Sequence, residues 1–412
     1  MQHFSHLPPD ARERLFLRPP QPVGPDAPPV VLAHALGATL YCPATRPAMA
    51  ADLARLSGRG LLSAVACLED SVPDDRVTEA EEVLVGQLAQ HRRDVEDGLA
   101  RPLLLFVRVR TPDQLRCLAE RLGDGLERVA GFVLPKFGAH GQPEPEEHLA
   151  AVAEVARAAG RRMWAMPVVE TADVLHRETR LEALLRVRDV LAAHRERVLA
   201  VRTGATDLSA VHGLRRPRGT TVWDVRVVAD ALGDVINVLG RLDGTGFPVT
   251  GPVWEHFTSG ERLFRTELRQ TPFEENDVRE LRTRLLRDDL DGLLREVELD
   301  RVNGLVGKTV IHPSHVPVVH AMSVVPHEEW CDARDVLGAG SGGVMASAYG
   351  NKMNEAKPHR AWAERVLARA DAFGVAREGI SVVDVVAAQV DAVEGVRVEL
   401  PVVAQRSVEV PA

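Results

Sequence analysis

The chain has 412 residues, 45% hydrophobic and 26% charged, enough to bury one large domain with appendages or two ordinary ones. Its formal net charge of -9 speaks against nucleic acid as a main partner, because neutralising phosphates needs a basic face. The 4 cysteines show no CxxC spacing, and no apolar run approaches the ~18 residues of a membrane span, so the expectation is a cytoplasmic protein with reduced thiols and no membrane partner.

Residues 1–35 are Pro-rich and aperiodic, which predicts an extended arm over the domain surface or a disordered one. From Thr39 onward, short apolar runs alternate with Ala/Leu/Arg/Glu-rich helical segments. Each run delivers polar side chains near its end. TLYCPATRP reaches Thr45 and Arg46, LLSAVACLEDS reaches Glu69 and Asp70, LLLFVRVR reaches Arg108 and Arg110, and VAGFVLPKF reaches Lys136. Met163 to Val169 leads to Glu170, Val198 to Val201 leads to Asp207, FPVTGPVW is a weaker run, and GKTVIHPSH reaches His312. About eight such repeats fit an α/β architecture, a (β/α)₈ TIM barrel. A barrel brings every strand end to one face, whereas an open sheet uses only its switch point.

The predicted organisation is an N-terminal extended arm over 1–35, a barrel over 36–330 with a helical insertion around 257–300, and a C-terminal helical segment over 331–412 acting as lid or oligomerisation element. A helix is expected from His359 to Ala372. Gly338, Gly340 and Gly343 satisfy GxGxxG but follow a helical stretch rather than a strand, so they read as a linker. Gly307, Lys308 and Thr309 resemble a P-loop end, yet its first glycine would fall at Val302.

Glu170 and Asp207 follow successive parallel strands, so two carboxylates can meet at one mouth and offer hard oxygen ligands to Mg²⁺ or Mn²⁺. The plainer alternative is that each caps a helix or turn. Lys136 either assists a carbonyl or is a strand-end charge, and His312 in its IHP turn reads as structural. VHGLRRPRGTT sets Arg215, Arg216 and Arg218 in one loop over the mouth, suited to a phosphate or second carboxylate, or simply to solvent.

In order along the chain, LYCPATRP, CLEDSV, FVRVR, VLPK, VVET, GATDLS and GKTVIHPSHV resemble the motifs of the HpcH/HpaI aldolase and citrate lyase β-subunit superfamily, from about Thr39 to Phe373. YGNKMNE is similar to that family's segment that reaches over a neighbouring subunit's active site, and HGLRRPR with NKMNE resembles a branch found beside tellurium-resistance genes. Arg110 stands where the family has Asn, and Glu355 where its acyl-CoA branches have Asp.

The resemblance implies a carbon–carbon lyase or aldolase acting through a metal-stabilised enolate on a carboxylate-bearing hydroxy acid or oxo acid, free, phosphorylated or CoA-linked. It implies Mg²⁺ (or Mn²⁺) on Glu170 and Asp207, and a homo-oligomer, dimer or trimer. Arg108 would grip the substrate carboxylate through its bidentate fork, with Arg46, Arg215, Arg216 and Arg218 as further anion-binding groups. Glu69, Asp70, Lys136 and Glu355 complete the expected catalytic set. Two other readings stay open: an acyl-CoA thioesterase or acyl transferase on the same barrel, with Glu355 activating water, and a non-catalytic scaffold.

Overall fold

The computed structural model describes residues 1–24, 27–138, 144–257, 290–340 and 342–394. Eight parallel strands form a barrel: β1 (Ala38–Pro43), β2 (Ser63–Cys67), β3 (Leu104–Arg108), β4 (Val129–Leu134), β5 (Trp164–Val169), β6 (Arg202–Thr203), β7 (Thr250–Trp254) and β8 (Val306–Val310). Neighbours run β6-β5-β4-β3-β2-β1-β8-β7. A parallel bridge between Val201 and Val249 closes the ring, with Val201 N–H donating to Pro248 O at 2.8 Å and Thr250 N–H to Val201 O at 2.8 Å. SAVAC in β2 and LLFVR in β3 are buried along their whole length, as expected of strands sandwiched between a barrel interior and a helical coat.

Helices follow the strands and expose their charged faces. Pro112–Leu122 starts from Thr111, whose hydroxyl accepts from Gln114 N–H at 3.1 Å, with Pro112 in the first turn where no N–H is needed. The run read at Val198–Val201 makes only single bridges, and the ladder proper is Arg202–Thr203. A helix, Ala205–Val211, begins almost at once, so Asp207 lies in a helical first turn rather than on a strand end.

The N-terminal segment carries more structure than its prolines suggested. Pro9 and Pro29 sit in the first turns of helices Pro9–Leu15 and Pro29–Ala35, where fixed φ suits the helix. Phe4, Leu7, Leu15 and Phe16 are buried. Strand Phe16–Arg18 pairs antiparallel with Val375–Ala376 at the far end of the chain. The C-terminal segment folds as helix His327–Gly338, a hairpin of Val344–Ala346 with Met353–Glu355, and helix Arg360–Phe373, close to the expected bounds. Val325, Ala333, Val336, Ala363 and Val366 form a small core of their own there. Of the expected insertion, residues 258–289 lie outside the described residues, and the remainder is helix Leu290–Val302. Among the described residues no helix is long and apolar enough to cross a membrane.

Candidate active site

Five consecutive strands bring six charged side chains to the barrel mouth. Arg108, last residue of β3, is buried, and its Nη2 lies 2.6 Å from Glu69 Oε2, 3.0 Å from Glu170 Oε1 and 3.3 Å from Asp70 Oδ2. Lys136, two residues past β4, pairs with Asp207, and its Nζ stands 3.5 Å from Asp70, 3.6 Å from Glu69 and 3.9 Å from Glu170. Its backbone adopts φ 51°, a left-handed conformation unusual outside glycine, and so aims its N–H at Glu170 Oε1 at 2.9 Å. Gly204 makes room for the same carboxylate: a Cβ there would lie 2.1 Å from Glu170 Oε2.

The charges do not balance. Glu69, Asp70, Glu170 and Asp207 against Arg108 and Lys136 is four minus two, an excess of two formal negative charges. Burial pushes the Glu170 carboxyl up to about 7; Arg108 and Lys136 oppose this and Asp207 adds to it. Glu69 is also raised, by burial against the pull of Arg108. Its neighbour Asp70 is held low: burial acts against this, but a hydrogen bond from Glu69 and the charges of Arg108 and Lys136 outweigh it. Burial disfavours both cations, yet the facing carboxylates, Glu170 foremost, raise Arg108 and Lys136 and keep them charged.

This donor set suits a hard divalent cation. Oxygens of all four carboxylates gather around Lys136 Nζ, and their surplus of two negative charges matches a 2+ ion. Among the described residues no three Asp, Glu, His or Cys side chains form a cage.

The family model for C–C bond lyases of the TIM-barrel fold matches residues 30–375. The chain belongs to that family. It is therefore a carbon–carbon lyase, in agreement with the motif resemblance to the HpcH/HpaI and citrate lyase β-subunit superfamily. Among solved structures, the lyase is similar to CitE from Mycobacterium tuberculosis in complex with magnesium, acetoacetate and coenzyme A, at 22% identity over 81% of this chain and 97% of that one, TM-score 0.47. It is similar also to RipC from Yersinia pestis (16% identity, 70% and 95% covered, TM-score 0.41) and to the lead(II) complex of Haloferax volcanii malate synthase (15%, 68% and 71%, 0.45). No curated protein matches it.

Other residues singled out from the sequence are exposed or take partners outside these six. The Arg216 guanidinium is buried against Glu296 Oε2 at 2.6 Å, Val253 O at 2.7 Å and Glu255 Oε2 at 3.5 Å, which corrects its reading as a substrate ligand. Arg215 and Arg218 are exposed. Arg46 is exposed and paired with Asp52. His312 stacks on Phe257, with ring centroids 5.0 Å apart, and its Nδ1 meets Ser314 Oγ at 2.7 Å. Glu355 ends its hairpin strand, its N–H donating to His359 Nδ1 at 3.1 Å.

Three features of the lyase escaped the sequence reading. Arg110 braces the turn carrying Glu69 and Asp70, donating to Leu68 O at 2.7 Å, Val72 O at 2.5 Å and Glu69 O at 3.3 Å and pairing with Asp74. Arg202 is buried inside the barrel, donating to Thr309 Oγ1 at 2.6 Å, with its guanidinium 5.3 Å from the Tyr41 ring centroid. Lys308, quoted only as part of a broken P-loop, is a buried ion-pair partner of Glu296 and Asp300. Alternation within a strand carries no signal for such interior charges.

Proposed function

We propose that the lyase makes or breaks a carbon–carbon bond in a carboxylate-bearing hydroxy acid or oxo acid, with Glu170 and Asp207 holding one Mg²⁺ or Mn²⁺. The observation that carries this is the four-to-two excess of carboxylates over cations around one point. A divalent ion there would stabilise charge on a carbonyl or enolate oxygen as a Lewis acid.

The protein's own groups divide the remaining tasks. Arg108 fixes Glu69 and Glu170, and its Nε is buried with no partner among the described residues, leaving a donor for a substrate carboxylate. Lys136, held charged by the surrounding acids, acts as an electrostatic donor toward a developing oxyanion and not as a base. Of the adjacent acids, Glu69 is raised and Asp70 lowered, so Glu69 carries and returns the proton while Asp70 stays ionised. Arg110 keeps both in place through the turn's carbonyls. Glu355 of one subunit enters the mouth of another in a homo-oligomer; its hairpin leaves Val344 and Met353 exposed on a face without an internal partner among the described residues.

Calorimetric titration of Mn²⁺ into wild type, Glu170→Gln and Asp207→Asn tests the metal assignment. Each variant should lose most of the affinity, and unchanged isotherms in both would overturn it. Cleavage of a panel of free, phosphorylated and CoA-linked hydroxy acids then identifies the substrate. Hybrids reassembled from inactive Glu355→Ala and Asp207→Ala chains should regain part of the activity. No recovery in verified hybrids would mean that each subunit builds its site alone or that Glu355 is not catalytic.

A further inference from the structure

At the barrel end opposite the acidic mouth, a cavity of about 520 Å³ opens beside Val306 and Gly307, where β8 begins, against helices Leu290–Val302 and Arg360–Phe373. That size falls within the roughly 300–1,000 Å³ of small-molecule sites. Val319 and Met322 supply apolar wall, and three guanidinium groups, Arg301, Arg365 and Arg369, line it together. Their partners are too few. Glu329 pairs with Arg369 and lies 3.5 Å from Arg301 Nη1, and Arg301 also meets Glu298 at 2.7 Å. Arg365 has no carboxylate partner among the described residues and donates to Gly304 O at 2.8 Å. The cavity's other carboxylate, Asp300, is taken by Lys308 at 2.6 Å, so Arg365 alone of the three guanidinium groups stands without an acidic partner among the described residues.

Two further observations suit an anion here. Arg369 has a side chain only 12% exposed, yet its Nε is buried with no hydrogen-bond partner among the described residues. Burial, then the charge of Arg369, pulls Arg365 below the usual arginine range, a strain that an anion between them would relieve. His34, also lining the cavity, is driven by burial and by both arginines to about 3, so it stands as a neutral ring and adds no competing charge. Trp362, which also lines the cavity, is 37% exposed.

We propose that this cavity binds a phosphate-bearing small molecule of nucleotide size, its phosphate on the Arg365 and Arg369 guanidinium groups and a flat ring against Trp362. Planar guanidinium forks match phosphate oxygens bidentately, and an exposed indole offers a stacking face. The site is separate from the proposed lyase chemistry and uses none of its residues.

Calorimetry on the full chain in Mg²⁺ tests it, with adenosine 5′-monophosphate, adenosine and inorganic phosphate as probes. The monophosphate should bind, and each half-molecule should bind more weakly. Arg365→Lys, which keeps the charge and loses the fork, should weaken the monophosphate at least tenfold. Trp362→Leu should weaken the monophosphate and leave inorganic phosphate unchanged, while Arg108→Lys at the other end leaves both isotherms as in wild type. Melting curves confirm that the variants fold. No heat from the monophosphate at millimolar concentration, an isotherm undiminished in both Arg365→Lys and Trp362→Leu, or loss of binding in Arg108→Lys would each overturn the proposal.

Discussion

The barrel holds two clusters built from the same kinds of side chain, and they differ in balance and in access. In one, Lys308 Nζ lies 2.6 Å from both Glu296 Oε1 and Asp300 Oδ2, and Arg216 Nη1 lies 2.6 Å from Glu296 Oε2. Trp223 Nε1 and Val222 N–H complete the acids' hydrogen bonds at 2.8 and 2.6 Å. Two cations meet two fully buried anions, none of these four side chains more than 3% exposed, and Glu255 joins from the edge, 3.5 Å from Arg216 Nε. In the mouth cluster four acids face two cations, with Lys136 38% and Asp70 54% exposed. A closed cluster whose buried acids are each met by a cation has nothing left to bind and serves the packing of helix Leu290–Val302 on β8. An open cluster with surplus charge is incomplete without a ligand.

The largest effect that follows concerns the closed cluster. Lys308→Met would leave Glu296 and Asp300 buried without their ammonium, at a cost of about 3–5 kcal/mol in urea denaturation. Lys136→Met should cost less than about 1 kcal/mol while abolishing turnover, because its half-exposed charge is screened. Equal stability losses in the two variants would erase the distinction. Gly204→Ala should come next, since its Cβ must displace Glu170: Mn²⁺ affinity should fall roughly 10–100-fold by calorimetry. A wild-type isotherm would show that Glu170 need not lie where it does.

Proton competition sharpens the comparison further. Glu170 is raised from 4.5 to about 7, so it holds its proton below neutrality and must release it to bind a cation. Mn²⁺ affinity should therefore weaken about tenfold from pH 8 to pH 6. The same shift acts on folding with the opposite trend. Between 4.5 and about 7 the native carboxyl holds a proton that the unfolded one has lost, so this group's contribution to stability falls as pH rises through that window. Glu170→Gln should remove both dependences, and their persistence would assign them elsewhere. Smallest of all, Arg46→Ala should change stability by less than about 1 kcal/mol, because its pairing with Asp52 is 54% exposed on the arginine side.

The barrel was legible because parallel strands buried on both faces read as apolar runs, and because each run stops at a residue that cannot be buried alone. Glu69, Asp70, Arg108, Lys136 and Glu170 were recognisable for that reason, and they do meet. Asp207 was recognisable as a residue but not as a helical one, since the short β6 yields to a helix within a few residues. Arg216 misled for a different reason: the sequence displays its charge beside Arg215 and Arg218, while its counter-charge, Glu296, lies 80 positions away. Interior polar groups such as Arg202 and Lys308 interrupt apolar patterns without saying what they face. The N-terminal prolines looked like breaks and are helix starts.

The pairing of Phe16–Arg18 with Val375–Ala376 sets a schedule for synthesis. Arg377 Nε donates to Glu13 O at 2.7 Å across 364 positions of chain. At about 5–20 residues per second, the N-terminal strand waits roughly 20 to 70 seconds on the ribosome before its partner emerges. Until then Phe4, Leu15 and Phe16, buried in the finished protein, lack part of their cover. This apolar segment thus stays partly uncovered until residues 375–376 emerge, and chaperone demand should fall on it after most barrel strands have already paired.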